Sequence, residues 1–353
     1  APVLRVVERH DARSMRIPIA QCETFVLTDE PALDGPDVLA TARRLVGDPR
    51  APAGIPLRRL ARKLLGSTVG LALGGGAAFG IAHVGVLPVF EEEGSPVDLL
   101  AGPSMGAIVA LGCACGLSGA EMNEIAGRIG TVRTTLGALD FTLTRPGLLA
   151  GDRLISTFLP LMPVHDFSEL LRPCRTVATD IESGECVSIT EGRLDMAFRA
   201  SCSVPVIWSP VRYLDRVLVD GAMVNPVPVD VAREMGADVT IAINVVPSLK
   251  RGVDTALARA YRALNRLNPL SYVGTQRRLP SLFDVTMNSI QQLQHELGAF
   301  KSISADVRIT PDLTDFTWIE FYRPLELIER GAEAARRALP EVRRVLAERL
   351  EAA

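Results

Sequence analysis

From residue 58 onward the chain alternates short apolar runs with stretches of helical length. Val69 to Leu73 (VGLAL) is an uninterrupted apolar run that ends at glycine, which predicts a buried strand. A glycine run and an apolar segment long enough for a helix follow it. Val97 to Ala101 predicts a second buried strand, which runs into Gly102-Pro103-Ser104-Met105-Gly106 and a helix of small residues. Arg175–Thr179, Val217–Val219 and Val239–Val245 predict further strands, separated by helical or loop-length segments. Strand–helix alternation of this kind predicts an α/β domain built on a mostly parallel sheet.

The flanks read differently. Residues 1–57 carry Pro31, Pro36, Pro49, Pro52 and Pro56 between short apolar patches, with one short helix expected over 38–46. Arg58 to Leu65 predicts a basic helical turn or two, stopped by Gly66 in the left-handed conformation. Leu257, Tyr261, Leu264 and Leu267 share one helical face, with Arg259, Arg262 and Arg266 opposite. Such a helix either lies on anionic lipid or packs on the core with solvated arginines, and the second reading is favoured. From Leu325 the chain is rich in Ala, Glu and Arg and predicts a terminal packing helix.

Composition narrows the function classes. The chain has 353 residues, 48% hydrophobic and 22% charged, with a net charge of -3. An acidic balance argues against a nucleic-acid partner, because phosphate binding needs a basic footprint. Six cysteines (Cys22, Cys113, Cys115, Cys174, Cys186 and Cys202) are scattered without paired metal-ligand spacing. Cys113 and Cys115 are expected to be buried free thiols, which fits a reducing compartment. No apolar run reaches the roughly 18 residues of a membrane span. The first residue is Ala1 and no signal-peptide pattern follows, so a processed chain or a piece of a longer one is expected. The expected location is cytoplasmic, extending to the periphery of the membrane surface.

Three short motifs carry candidate chemistry. Gly102-Pro103-Ser104-Met105-Gly106 places a serine between glycines at a strand-to-helix turn, where flanking Cβ atoms would collide with backbone. The helix that follows directs N-terminal amides at the site and favours negative charge there. Gly74-Gly75-Gly76-Ala77-Ala78-Phe79-Gly80 follows the first strand. It misses the dinucleotide spacing by one residue and lacks the Lys-Ser/Thr of a phosphate-binding loop. The remaining readings are a loop of amides for an oxyanion and a plain tight turn; the nearby serine favours the first. Val219-Asp220-Gly221-Ala222 places a carboxylate at another strand end.

Histidine is the usual partner of a serine nucleophile, and the chain has His10, His83, His165 and His295. His83 is expected in the core, His10 in the connector, His165 in a proline-flanked loop and His295 in a Gln-rich helix. None sits in a catalytic-loop pattern, so a direct Ser104–Asp220 pair is the economical assignment.

Taken together and in this order, the three motifs resemble the patatin-like phospholipases, in particular the neuropathy-target-esterase branch and its bacterial relatives. The resemblance starts near Arg58 and includes Arg199-Ala200-Ser201-Cys202-Ser203-Val204-Pro205 and Val219 to Asn225. It extends weakly through Arg266-Leu267-Asn268-Pro269. It implies a three-layer α/β/α fold with a mostly parallel central sheet, and a Ser–Asp dyad of Ser104 and Asp220. Gly75, Gly76 and Ala77 would supply oxyanion amides, and Gly74, Gly80, Gly102, Gly106, Gly221 and Ala222 complete the motifs. The implied substrate is a phospholipid or lysophospholipid, met by peripheral membrane association, with neither metal nor cofactor. The implied organisation is a connector over 1–57, a catalytic domain over 58–250 and a C-terminal helical extension over 251–353 packed on it. Two positions depart from the family pattern: Phe79 stands where a basic residue is usual, and Ala77 where a glycine is common. Two rivals follow, an acyltransferase using the same serine with a histidine, and a catalytically weak lipid-binding regulatory module. Apolar loops between 131 and 170, including Leu148, Leu149, Phe158 and Leu159, are expected either to form an acyl channel or to pack in the core.

Overall fold

The apolar runs form one eight-stranded sheet, here numbered β1 (Val69–Leu73), β2 (Leu99–Pro103), β3 (Cys174–Asp180), β4 (Cys186–Ile189), β5 (Val211–Tyr213), β6 (Arg216–Asp220), β7 (Val239–Ile243) and β8 (Val307–Ile309). The computed structural model describes residues 54–142, 144–248 and 282–352, together with two short strands, Arg5–Val7 and Thr24–Val26, that pair in parallel. The segments 38–46 and 257–267, both expected to be helical, lie outside the described residues. Strands β8, β7, β1, β2 and β3 pair in parallel in that order. Strands β4 and β6 join β3 antiparallel, and β5 joins β6 antiparallel. This is the three-layer α/β/α arrangement with a mostly parallel sheet.

Side-chain size sorts the two faces of the sheet. Val69, Leu71, Leu73, Leu100, Val239, Ile241 and Ile243 point to one face and join the main core. That core is closed by α2 (Ala82–Glu92), α3 (Ser104–Ala114), α7 (Leu194–Ser201) and α10 (Pro324–Ala352). Ala72, Ala101 and Ala242 point to the other face, under the short α8 (Val229–Glu234). A side chain on Gly70 would come within 2.7 Å of the Ala237 Cβ there. Small residues on that face let α8 sit close, while the large ones supply most of the apolar burial, at about 2 kcal/mol for each fully buried Leu or Ile.

Other elements attach to this frame. Helix α1 (Gly54–Leu64) ends at Gly66 with φ +59°, the left-handed stop expected for that glycine. Arg62 makes two hydrogen bonds to the buried Asp98 carboxylate, at 2.7 and 2.5 Å, and Asp98 also accepts the Val69 N–H. These contacts tie α1 to the entry of β1 and β2. Cys113 on α3 and Cys115 just after it are free and buried, and burial pushes the Cys115 thiol up to about 12.

Besides β4 and β5, which the sequence did not announce, two features differ from expectation. β2 runs two residues further than its apolar run, because Gly102 and Pro103 are registered on Thr176 and Val177 of β3. The C-terminal stretch is not purely helical. Its Val307–Ile309 segment forms β8 on the sheet edge, and three residues are too few to show a strand period.

Helices α2 and α10 cross through two glycines. A Cβ on Gly85 would lie 1.9 Å from the Ile328 carbonyl oxygen, and one on Gly331 would lie 1.9 Å from that of Ala82. Alanine is favoured over glycine inside a helix by about 1 kcal/mol, but here the clash with backbone outweighs it. Gly85→Ala and Gly331→Ala are therefore expected to destabilise the protein by about 1–3 kcal/mol, read as a lower urea midpoint with unchanged slope.

Candidate active site

The site is built where two strands end. β4 pairs with Thr176–Thr179 and so occupies one edge of β3. β2 pairs with Cys174–Val177 and β6 with Ala178–Asp180, so both lie on the opposite edge. They run toward each other and stop at neighbouring rungs: Pro103 lies across from Val177 and Asp220 across from Ala178. Both chains must turn sharply away at that point. After Pro103 the chain enters α3 through Ser104; after Asp220 it turns through Gly221, where a Cβ would lie 2.1 Å from the Val177 oxygen. The register of β3 thus brings Ser104 and Asp220 together.

The turn at Ser104 is strained. Its φ is +52°, a left-handed conformation that costs a non-glycine residue on the order of 1–3 kcal/mol. Both flanking glycines are demanded by close approach. A Cβ on Gly102 would lie 2.6 Å from the Gly106 carbonyl carbon, and one on Gly106 would lie 2.3 Å from the Leu73 oxygen. The Ser104 N–H donates to the Ser201 hydroxyl at 2.9 Å, and that hydroxyl donates to the Val177 carbonyl at 2.7 Å. Ser201 therefore bridges the turn to β3.

Asp220 is held at several points. Its N–H donates to the Ser203 carbonyl at 2.9 Å, and its carbonyl accepts the Thr179 hydroxyl at 2.9 Å. Its Oδ1 accepts the Ala222 N–H at 2.8 Å, while Oδ2 is buried without a full hydrogen-bond partner. Burial raises the carboxyl to about 6 against the opposing pull of the Ser104 hydroxyl and the Ala222 amide. The neighbouring Cys202 thiol is pushed well above its ordinary value by burial and by the Asp220 charge, and so stays neutral.

The glycine loop lies opposite. The Gly74 N–H donates to the Ile243 carbonyl, and the Ala78 N–H donates to the Trp318 carbonyl. Gly75 requires a correction: its N–H, expected as an oxyanion donor, already donates to the Pro226 carbonyl at 2.9 Å. Gly75 is needed for space instead, since a Cβ there would lie 2.7 Å from the Ala222 Cβ and 3.5 Å from that of Ser104. The Gly76 and Ala77 amides have no partner among the described residues and border the space around Ser104. Ala77 has φ +48° and so holds a glycine-favoured conformation without being glycine. Gly80 leaves room for the Met105 side chain, and Phe79 is a core residue.

No described histidine lines the space around Ser104. His83 is fully buried, its Nε2 2.7 Å from the Gly74 carbonyl, and burial lowers it to about 4. It is a neutral donor that fixes the loop. His295 Nδ1 is 2.9 Å from the Val246 carbonyl on α9 (Leu282–Ser302). The His165 N–H donates to Glu169, and His10 lies outside the described residues.

Two adjoining cavities meet at Ser104. The smaller, about 50 Å³, is bordered by Gly76, Ala77, Ser104 and Asp220, and roofed by Met287 and Ile290 of α9 and by Trp318. The larger, about 440 Å³, is lined almost wholly by apolar side chains, including Leu148, Leu149 and Phe158 of the segment expected to hold an acyl chain. Leu159 does not line it. The run from Arg199 to Pro205, visible in the sequence only through resemblance, frames both cavities. Arg199 donates to Ser203 Oγ, to the Ala150 carbonyl and to the Ser209 carbonyl, stapling the cavity wall to the strand end that carries Asp220. A Cβ on Gly151 would lie 2.5 Å from the Arg199 Nε.

An α/β sheet with a strained serine elbow, a loop of free amides and a buried carboxylate at one edge defines the class. Comparison with known proteins agrees: a protein-family model for patatin-like phospholipase matches residues 71–233, so the chain carries a patatin-like phospholipase domain. An uncharacterised NTE family protein of Mycobacterium tuberculosis is 34% identical over 179 residues, 50% of this chain and 49% of that protein. A lysophospholipase of Emericella nidulans is 30% identical over 315 residues, 82% of this chain and 20% of that protein. The patatin-like phospholipase domain-containing protein 6 of Homo sapiens is 31% identical over 282 residues, 77% of this chain and 20% of that protein. The chain spans about half the length of the mycobacterial relative and about a fifth of the other two.

Two outcomes are expected from this geometry. Ser201→Ala leaves the Ser104 N–H and the Val177 carbonyl without their bridge. An unmet buried group costs about 1–3 kcal/mol, so labelling of Ser104 by a fluorophosphonate should slow by about tenfold or more while the protein stays folded. Asp220 binds its proton more tightly folded than unfolded, so its ionisation removes stability as pH rises from 3.8 to about 6. Asp220→Asn should therefore be more stable than the parent at neutral pH, by on the order of 3 kcal/mol, and should lose that advantage at pH 3 in thermal melts.

Proposed function

We propose that the chain is a serine hydrolase that cleaves acyl esters of phospholipids or lysophospholipids, with Ser104 as nucleophile and Asp220 as base. The observation that carries this reading is the meeting of a strained serine, a buried unpaired carboxylate oxygen and two free amides at the end of an apolar cavity. The catalytic unit is taken as residues 58–250, with a roof supplied by α9 and Trp318.

The reaction follows from these groups. An ester enters with its acyl chain in the larger cavity and its carbonyl oxygen toward the Gly76 and Ala77 amides. Asp220 accepts the Ser104 hydroxyl proton as Oγ attacks the carbonyl carbon. The two amides and the N-terminus of α3 stabilise the tetrahedral oxyanion. The C–O bond to the alcohol breaks, the proton on Asp220 passes to the departing oxygen, and an acyl-serine remains. Water then gives a proton to Asp220 and attacks the acyl carbon, and collapse of the second intermediate returns that proton to Ser104. A carboxyl near 6 is a stronger base than an ordinary one and is still largely ionised at neutral pH.

A hydrolysis screen over phospholipids, lysophospholipids and short p-nitrophenyl esters tests the reading. Ser104→Ala should abolish turnover and fluorophosphonate labelling, and Asp220→Ala should lower both by about a hundredfold or more. His295→Ala should leave both unchanged; a large loss there favours a serine–histidine transferase instead. Because the base must be ionised, kcat/KM should fall tenfold per pH unit below about 6 and level off above it. A serine that labels equally in Asp220→Ala overturns the dyad.

A further inference from the structure

The walls of the large cavity do not all close over it. Leu136, Phe141 and Leu148 line the cavity and are also 61%, 78% and 50% exposed. Val132, one helical turn before Leu136 on α5 (Val132–Gly137), is 56% exposed. These side chains form an apolar rim where the cavity reaches solvent. Isolated exposed leucines are ordinary, but a contiguous apolar patch marks a contact surface, and this one continues into the cavity that ends at Ser104.

Charge separates the kinds of partner. The chain as a whole is net negative, yet the stretch 128–153 carries four arginines against two aspartates. Both aspartates are engaged: Asp140 accepts the Gly151 and Arg153 N–H groups, and Asp152 pairs with Arg145. Arg128 and Arg133 are exposed and have no ion-pair partner among the described residues. Arg133 stands beside Val132. An apolar rim with exposed Arg133 next to Val132 and exposed Arg128 next to the cavity-lining Ile129 matches a lipid surface with anionic head groups, where apolar side chains enter the acyl boundary and guanidinium groups meet phosphates.

We infer that the face carrying Val132, Arg133, Leu136, Phe141 and Leu148 docks on an anionic bilayer. Docking sets the cavity mouth against the acyl layer, so a lipid chain passes from the membrane into the cavity without crossing water. The inference rests on the reading of the cavity as an acyl site, but docking itself requires no turnover.

The test is sedimentation of Ser104→Ala protein with sucrose-loaded vesicles of phosphatidylcholine, with and without phosphatidylglycerol. The protein should bind both and bind the anionic vesicles more tightly. Adding Val132→Asp and Phe141→Asp, both at exposed positions, should weaken partitioning at least tenfold on both vesicle types. Adding Arg128→Glu and Arg133→Glu should weaken it only on anionic vesicles, by roughly fivefold per arginine, the equivalent of about 1 kcal/mol each. Ile303→Asp is the control. Ile303 is 65% exposed and follows the end of α9 opposite the cavity-lining Phe283, a helix of 21 residues and so about 30 Å long. Absence of vesicle binding, binding retained by the Val132 and Phe141 variant, or an equal loss in Ile303→Asp overturns the inference. Turnover of a short soluble ester by the protein with Ser104 intact tests the hydrolase reading separately, since that substrate needs no membrane.

Discussion

One edge of β3 carries two strands that arrive from opposite directions, and the geometry of the site follows from that shared edge. β2 ends across from Val177 and β6 ends across from Ala178, on adjacent rungs. Neither strand can continue without striking the other, so each chain leaves the sheet at once. The backbone of β3 is thus the ruler that spaces the serine from the carboxylate. Polar groups fasten both ends to it: Ser201 bridges the Ser104 amide to the Val177 carbonyl, and the Thr179 hydroxyl holds the Asp220 carbonyl. A slip of one residue in either pairing would turn alternate side chains to the other face and separate the two groups.

The electrostatics of the site follow from what surrounds the carboxylate. The Ala222 amide and the nearby Ser104 hydroxyl favour the charged form of Asp220, while burial in an apolar setting opposes it, and burial wins. Among the described residues no Lys, Arg or His lines either cavity, so none of them offsets that cost. A nearby cation would pull the carboxyl down by a unit or more and make it a poor proton acceptor. On the proposed mechanism, the same apolar surroundings would strengthen the pull of the Gly76 and Ala77 amides on a developing negative charge. One feature, burial at the strand ends, therefore sets the carboxyl and, on the proposed mechanism, would serve the amides as well.

Much of this was legible in the sequence, and the rest was not for identifiable reasons. The strands at Val69–Leu73 and Val239–Ile243 were visible because a strand buried on both faces reads as a continuous apolar stretch. Ser104 and Asp220 were visible because a serine and a carboxylate at sharp turns demand small neighbours, and glycine leaves a mark. Ser201, Ser203 and Thr179 leave no such mark: each is an ordinary polar residue whose role comes from a partner 24 to 97 positions away or from a backbone atom. Gly75 misled because the sequence shows that a Cβ is absent but not whether the amide is spent, and here Pro226 takes it. β8 was hidden by its length, and its pairing with β7 comes from tertiary contact.

The groups proposed to react and the shape around them come from different stretches of chain. Ser104, Asp220, Gly76 and Ala77 all lie within the segment matched by the family model, residues 71–233. The roof does not: Phe283, Met287, Ile290 and Trp318 come from beyond it. The two parts are nonetheless joined at the loop, where the Trp318 carbonyl takes the Ala78 N–H and leaves the amides before it unspent. The C-terminal stretch therefore does more than cover the cavity. Through the Trp318 carbonyl it also fastens the glycine loop one residue beyond Ala77, whose φ of +48° is glycine-favoured, so the segment that sets the cavity's shape also anchors the loop beside Ser104.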